Sequence, residues 1–245
     1  MGMKKWENFL GDRIEGFFNK RFASNLEPVE LVDKLKKTMD KEKKKVQGEL
    51  LAPNDYRFIM AEPDYQRLKA KRVMDLLYNV AEKEAIRKNL FIDGKLDIHF
   101  FKEKERKLGF LTVNACFSGS PDCKDAGDDH TIVVEKKSIM ESESVEPKEN
   151  IAAIKVVEGA DVNSYLEFSN KAIYIGRQER NDFILSDGSA SRTHAYISYE
   201  RHRHVLHDVD SLNGTFLNGS RITESVLSAG DEIAIGNTVM VYEVI

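Results

Sequence analysis

The sequence predicts two folded parts of different class: a small α+β domain over residues 1–117 and an all-β domain over 151–245. Three observations predict this. Apolar residues recur at helical spacing in much of the first part, whereas the last part holds short alternating runs such as Ala195-Tyr196-Ile197-Ser198-Tyr199. Those alternating runs are separated by polar or glycine clusters, the pattern of loops joining antiparallel strands. Between Ser118 and Asn150 the composition turns to Ser, Asp, Glu, Lys and Pro, with few large apolar groups beyond Ile132-Val133-Val134. Such a segment buries too little apolar surface to offset chain entropy, so residues 118–150 read as a flexible acidic linker. A chain of 245 residues is long enough for this arrangement.

Taken in order, Trp6, Phe9, Leu10, Phe17, Phe18 and Phe22 fall on one face of an amphipathic helix whose aromatic side is expected to pack on its own domain. A second helix is expected after Pro28, with Val29, Val32, Leu35 and Met39 on one stripe. It runs into Lys41-Glu42-Lys43-Lys44-Lys45, read as a solvated helix end. Leu50–Tyr56 reads as a turn, Arg57–Ala61 as a strand, and Asp64–Lys88 as one long helix with Leu68, Val73, Leu76, Leu77, Val80 and Ala81 inward. Leu96–Phe100 and Phe110–Val113 read as two further strands, paired with each other.

The charge is uneven. Residues 1–117 hold 25 Lys+Arg against 19 Asp+Glu, residues 118–150 hold 4 against 9, and residues 151–245 hold 8 against 13. Cys116 and Cys123 could pair or stay free; with no histidine at zinc spacing around them, reduced thiols are the expectation. No apolar run reaches the length of a membrane span and Met1–Trp6 leads into no signal-peptide core, so a cytoplasmic protein is expected.

The clusters that matter lie between Gly176 and Gly219. They are Gly176-Arg177, Asn181-Asp182, Ser191-Arg192-Thr193-His194, Ser211-Leu212-Asn213-Gly214-Thr215 and Asn218-Gly219. Hydroxyl, amide and guanidinium groups dominate them, which suits hydrogen bonding to an anion better than covalent chemistry. Their order and spacing across Ile173–Val244 closely resemble the forkhead-associated (FHA) domain, a phosphothreonine-binding β-sandwich. The helix followed by Leu50-Leu51-Ala52-Pro53-Asn54-Asp55-Tyr56 is similar to the N-terminal domain of actinobacterial FhaA-type FHA proteins.

The resemblance implies a fold and a site. The C-terminal part would be an FHA sandwich, and Arg177, Ser191, Arg192 and Asn213 would hold the phosphopeptide. Arg177 and Arg192 would reach the phosphate, Ser191 would donate its hydroxyl and backbone N–H, and Asn213 would bond the peptide main chain. Gly176, His194, Gly214, Asn218 and Gly219 would support the site, Asn218-Gly219 as a hairpin turn with positive φ. Leu212 stands where the family often has threonine, and Ala190 where it often has a larger apolar residue. The resemblance further implies a bacterial adaptor beside Ser/Thr protein kinases, recruited to membrane-associated complexes and linked to cell-wall synthesis or division. It implies no cofactor, no metal and no enzymatic turnover.

Other readings are weaker. Ser191, His194 and Asp208 could suggest a serine hydrolase, but no Gly-x-Ser-x-Gly elbow surrounds the serine. His202, His204 and His207, interleaved with Arg201 and Arg203, read as an exposed hairpin tip rather than a metal site. A nucleic-acid-binding role for the basic N-terminal part lacks a Gly-x-x-Gly clamp or an aromatic RNA-recognition strand. A phosphate-independent scaffold is the remaining alternative. Thr131, in the linker, is expected to be an ordinary linker threonine.

Overall fold

The computed structural model describes residues 26–120 and 149–245. The helix expected over Trp6–Phe22, and most of the linker with Cys123 and Thr131, lie outside the described residues.

The first described helix, α1 (Pro28–Glu42), starts with proline in its first turn, where the missing N–H costs nothing. Glu27 and Glu30 close it reciprocally as a capping box. It buries Leu31, Val32, Leu35 and Met39, while Val29 sits off that stripe and is 49% exposed. The lysine run does not stay helical, because Lys44 and Lys45 enter β1 (Lys44–Val46), a hairpin partner of β2 (Glu49–Ala52). Strand β3 (Asp55–Ala61) follows at once, so the turn expected over Leu50–Tyr56 shrinks to Pro53-Asn54 between two strands. The buried Asn54 amide holds this corner by bonding Lys95 O and Ser118 Oγ.

The long helix expected over 64–88 is two, α2 (Glu62–Leu68) and α3 (Lys71–Arg87), broken at Lys69-Ala70. Strand β4 (Leu90–Ile92) pairs parallel with β2. Strand β5 (Asp97–Glu103) pairs parallel with β3, and β6 (Thr112–Cys116) pairs antiparallel with β3 from the other side. The two last strands therefore flank β3 instead of pairing with each other. The α2–α3 crossover returns the chain parallel to β3, which a hairpin cannot do. Cys116 is disulfide-bonded, contrary to the free thiol expected, and Cys123 is the only other cysteine of the chain.

The C-terminal part is all β. Its strands are β7 (Ala152–Glu158), β8 (Tyr165–Phe168), β9 (Ile173–Gly176), β10 (Phe183–Ile184), β11 (Ala195–Glu200), β12 (Arg203–Asp208), β13 (Thr215–Leu217), β14 (Ser220–Ile222), β15 (Glu224–Val226), β16 (Glu232–Ile235) and β17 (Thr238–Val244). They form a five-stranded sheet of order β10-β9-β11-β12-β15 and a six-stranded sheet of order β14-β13-β16-β17-β7-β8. Ile154, Val156, Ile175, Ile197, Leu206, Ile233, Ile235 and Met240 alternate inward to make the core between them.

The β11–β12 hairpin tip is not free in solvent but packs on the N-terminal domain, with Arg201 still exposed, His202 half-buried and Arg203 buried. Arg201 reaches Asp93 at 2.6 Å and Glu49 at 2.9 Å, and its carbonyl accepts the Ile92 N–H. Arg203 is buried, bonding Asn89 Oδ1 and Leu227 O, and both guanidiniums lie over the Phe91 ring. His202 meets Gly94 O and Glu82, and Ile86 of α3 joins the sandwich core. Period-2 reasoning on a single strand cannot see this, because the burial comes from the other domain. His204 belongs to the sandwich interior, between Tyr242 Oη and Ser169 O, both at 2.7 Å.

Candidate functional site

The chain ends β9 at Gly176, approaches β11 through Ser189–His194, and leaves β12 through Val209–Gly214. Because these strands are neighbours in the order β9-β11-β12, their loops stand side by side at one end of the sandwich. Gly176 allows the first contact. A Cβ there would lie 2.6 Å from Arg192 O and 2.9 Å from His194 N, so a methyl group would force the serine loop away. Without it, Arg177 N–H donates to Ser191 O and Gln178 N–H to Arg192 O.

His194 is buried behind that loop. Its Nδ1 accepts the Ser191 N–H at 2.9 Å, so its Nε2 carries the proton and donates to Gly214 O at 3.2 Å. Burial pushes its pKa below the ordinary histidine value, in keeping with a neutral ring. The Ser191 N–H is thereby committed, and the backbone donation to phosphate expected from the resemblance is not available in this arrangement. The Ser191 hydroxyl accepts the Leu212 N–H and keeps its own proton to give. The hydrolase reading fails on the same geometry: the imidazole nitrogen facing Ser191 bonds its amide, not its hydroxyl.

Two carboxylates escaped notice as builders of the site. Asp208 accepts from Ser211 N–H, Ser211 Oγ and Thr215 Oγ1, and Ser211 Oγ in turn receives Gly214 N–H. Burial alone would raise its pKa, but these hydrogen bonds outweigh that and hold it below the usual carboxylate value. Asp187 accepts the N–H groups of Ser189 and Asn237, which likewise hold its pKa down. The signal for both was the short Asp-to-Ser spacing, Asp208 to Ser211 and Asp187 to Ser189, which marks side-chain-capped turns. Asn181, singled out in the sequence but given no role there, is a third support, bonding Gln178 O and Arg192 O through one amide group.

What results is a concave cavity of about 520 Å³. Arg177, Ser191, Arg192 and Asn213, four residues named from sequence, all line it, together with Arg180, Thr193, Val209, Asp210 and Leu212. Asn213 Nδ2 donates to Ser189 O, fixing the side chain between two loops. Leu212 is 87% exposed at the rim. Gly214 (φ +85°) is buried behind the site, whereas Asn218 (φ 51°) and Gly219 (φ +79°) turn the β13–β14 hairpin and do not line the cavity. Among the described residues no group of three or more His, Cys, Asp or Glu could hold a metal ion, and no helix is long and apolar enough to cross a membrane.

Comparison with known proteins agrees with this architecture. The FHA domain model matches residues 173–236, and the model of the FhaA N-terminal domain matches residues 3–114. The chain belongs to the FHA-domain family. An oxoglutarate dehydrogenase inhibitor of Corynebacterium diphtheriae is 31% identical over 98 residues, covering 40% of this chain and 68% of that protein. Its Corynebacterium jeikeium counterpart is 35% identical over 94 residues, 38% and 65% of the two chains. The glycogen accumulation regulator GarA of Mycobacterium tuberculosis is 33% identical over 91 residues, 37% of this FHA protein and 56% of GarA. This FHA protein thus spans between about half and two thirds of the length of these curated relatives. A solved FHA domain from a Chlamydia trachomatis protein is 30% identical, with 38% of this chain and 96% of that one aligned at a TM-score of 0.37.

Proposed function

We propose that this FHA protein is a phosphothreonine-dependent adaptor that captures phosphorylated segments without turning them over. The observation that carries the reading is the gathering of Arg177, Ser191, Arg192 and Asn213 around one concavity, on loops braced by His194, Asp187 and Asp208. Phosphothreonine brings close to two negative charges and three acceptor oxygens. Two guanidiniums would neutralise it, the Ser191 hydroxyl would donate to it, and the Asn213 carboxamide would bond the peptide main chain alongside. Val209 and Leu212 offer apolar surface at the same rim for the threonine methyl group. The hydrogen bonds that brace these loops hold their side chains in place before capture, which lowers its entropic cost.

The partners we infer are Ser/Thr protein kinases or their substrates, with the N-terminal domain holding a second partner in membrane-associated work on the cell wall or in division. The relatives named above are bacterial, which supports the bacterial setting of this reading. The test is titration of the full chain with a degenerate phosphothreonine peptide pool, beside phosphoserine and unphosphorylated pools. Binding is expected for the phosphothreonine pool, and Arg177→Ala should remove at least ~1.5–3 kcal/mol, the worth of a charged hydrogen bond. Equal affinity of wild type and Arg177→Ala would sink the reading.

A further inference from the structure

Resting on the phosphothreonine reading, we propose that the cavity selects a charge-asymmetric segment, with a second anionic group beside the phosphothreonine on the β9 side, read by Arg180. Arg177 and Arg192 suffice to balance one phosphate. Arg180 is a third guanidinium on the same lining, and among the described residues none of the three has a carboxylate partner. Its position is built. Asn181, only 6% exposed, ties the 178–181 turn to the serine loop through Gln178 O (2.8 Å) and Arg192 O (2.7 Å). The Thr193 hydroxyl donates to Asn181 Oδ1 at 3.1 Å and accepts from Arg180 Nη2 at 3.5 Å, which steers the guanidinium along the rim.

The opposite flank has the opposite sign. Strand order β9-β11-β12 puts the Arg180 loop on one side of Ser191 and the Val209–Asn213 loop on the other. That second loop carries Asp210, the one carboxylate lining the cavity among the described residues. A carboxylate or phosphate next to the phosphothreonine is attracted on the Arg180 flank and repelled on the Asp210 flank, which gives direction as well as affinity. A carboxylate and a second phosphate share this chemistry, and the peptides below separate them.

The experiment uses the full chain and a phosphothreonine peptide with alanine neighbours, then the same peptide with Asp placed singly at each of three positions on either side. A further peptide carries a second phosphothreonine at the best of those positions. On one side Asp is expected to strengthen binding about fivefold at low salt, with less gain at high salt. On the other side Asp is expected to weaken binding, and Asp210→Asn to relieve that loss. In Arg180→Gln the ratio of acidic to neutral peptide should fall to about one, while Arg180→Lys should keep part of it. A larger gain from the second phosphate would identify a doubly phosphorylated ligand, and an equal or smaller gain an acidic one. If the neutral phosphothreonine peptide binds in an Arg177-dependent way but Asp has no effect, or its effect survives Arg180→Gln, the charge-asymmetry proposal is overturned and the adaptor reading stands. Absence of phosphothreonine binding overturns both.

Discussion

Gly176 and His204 show how differently two residues of one domain can be read. Gly176-Arg177 was legible because the demand falls on one position: the strand runs so close to the serine loop that a Cβ on residue 176 would lie 2.6 Å from Arg192 O, where a side chain cannot go. Gly176→Ala should therefore displace the serine loop, lowering stability by ~1–3 kcal/mol and weakening phosphopeptide binding with Arg177 still in place. Retention of wild-type affinity by a folded Gly176→Ala protein would count against the loop contact as described. His204 was not legible, because nothing in Arg203-His204-Val205 distinguishes an interior histidine from an exposed one. Burial pushes its pKa from the ordinary 6.5 to about 4, although its bond to Ser169 O pulls the other way. An unfolded chain takes up this proton near pH 6.5 and the folded chain only near pH 4, so protonation favours unfolding. The associated stability is intact above pH 6.5 and is lost as pH falls towards 4, by about 3 kcal/mol in all. His194 is shifted the same way and adds to the trend. Urea midpoints measured at pH 7.5 and 5.0 should fall with acid more in wild type than in His204→Gln; parallel profiles would show that the ring contributes nothing.

Two hairpins make the same comparison among elements. The β13–β14 turn uses Asn218-Gly219, both at positive φ, and was readable as a turn because Asn-Gly adopts that conformation at little cost. The β11–β12 turn uses Arg201 (φ 48°) and His202 (φ 60°), a pair that disfavours it and gives no such signal. What holds the second turn is its surroundings: Glu49 and Asp93 on Arg201, Gly94 O and Glu82 beside His202. Strained turns persist where neighbours over-determine them. Gly219→Ala, with open space around the new methyl, should cost only the ~1 kcal/mol of an alanine at φ +79°. Exchanging Arg201-His202 for Asn-Gly should relieve the backbone of the sandwich while removing its ion pairs to the N-terminal domain. A thermal-unfolding scan of each variant checks both, and a docked state unaffected by the Asn-Gly exchange would contradict the role given to the tip. In the N-terminal domain β5 and β6 were recognisable as strands, but their register was not. Which strand neighbours β3 depends on where α2 and α3 lay the returning chain, a tertiary choice that short apolar runs do not encode.

At the scale of the whole molecule, net charge misleads about how the domains meet. The N-terminal part is net basic and the sandwich net acidic, yet the contact sets acidic Glu49 and Asp93 of the first against Arg201 of the second, with Glu82 beside His202 and the Asn89 amide oxygen on Arg203. Sequence composition suggested two domains on an acidic tether. Hydrogen bonds, ion pairs and the shared Phe91 and Ile86 contacts fasten them at the described residues. The fastening lies at the far end of the hairpin from the cavity: β11 runs from Ala195, beside the serine loop, to Glu200, beside the tip, a span of roughly 20 Å. Capturing a phosphopeptide and holding the N-terminal domain are therefore compatible, and a partner on each domain would be held at a set separation rather than on a loose leash. The double variant Phe91→Ala, Arg203→Ala removes the stacked ring and the buried guanidinium without touching the cavity. It is expected to split one cooperative unfolding transition into two and to enlarge the radius of gyration in solution scattering. Affinity for the phosphothreonine peptide should stay within about twofold of wild type, since changes this far apart seldom couple strongly. An unchanged radius of gyration in the double variant would mean that other contacts hold the domains. A large loss of peptide affinity would mean instead that docking at the tip and capture at the loops are coupled through β11.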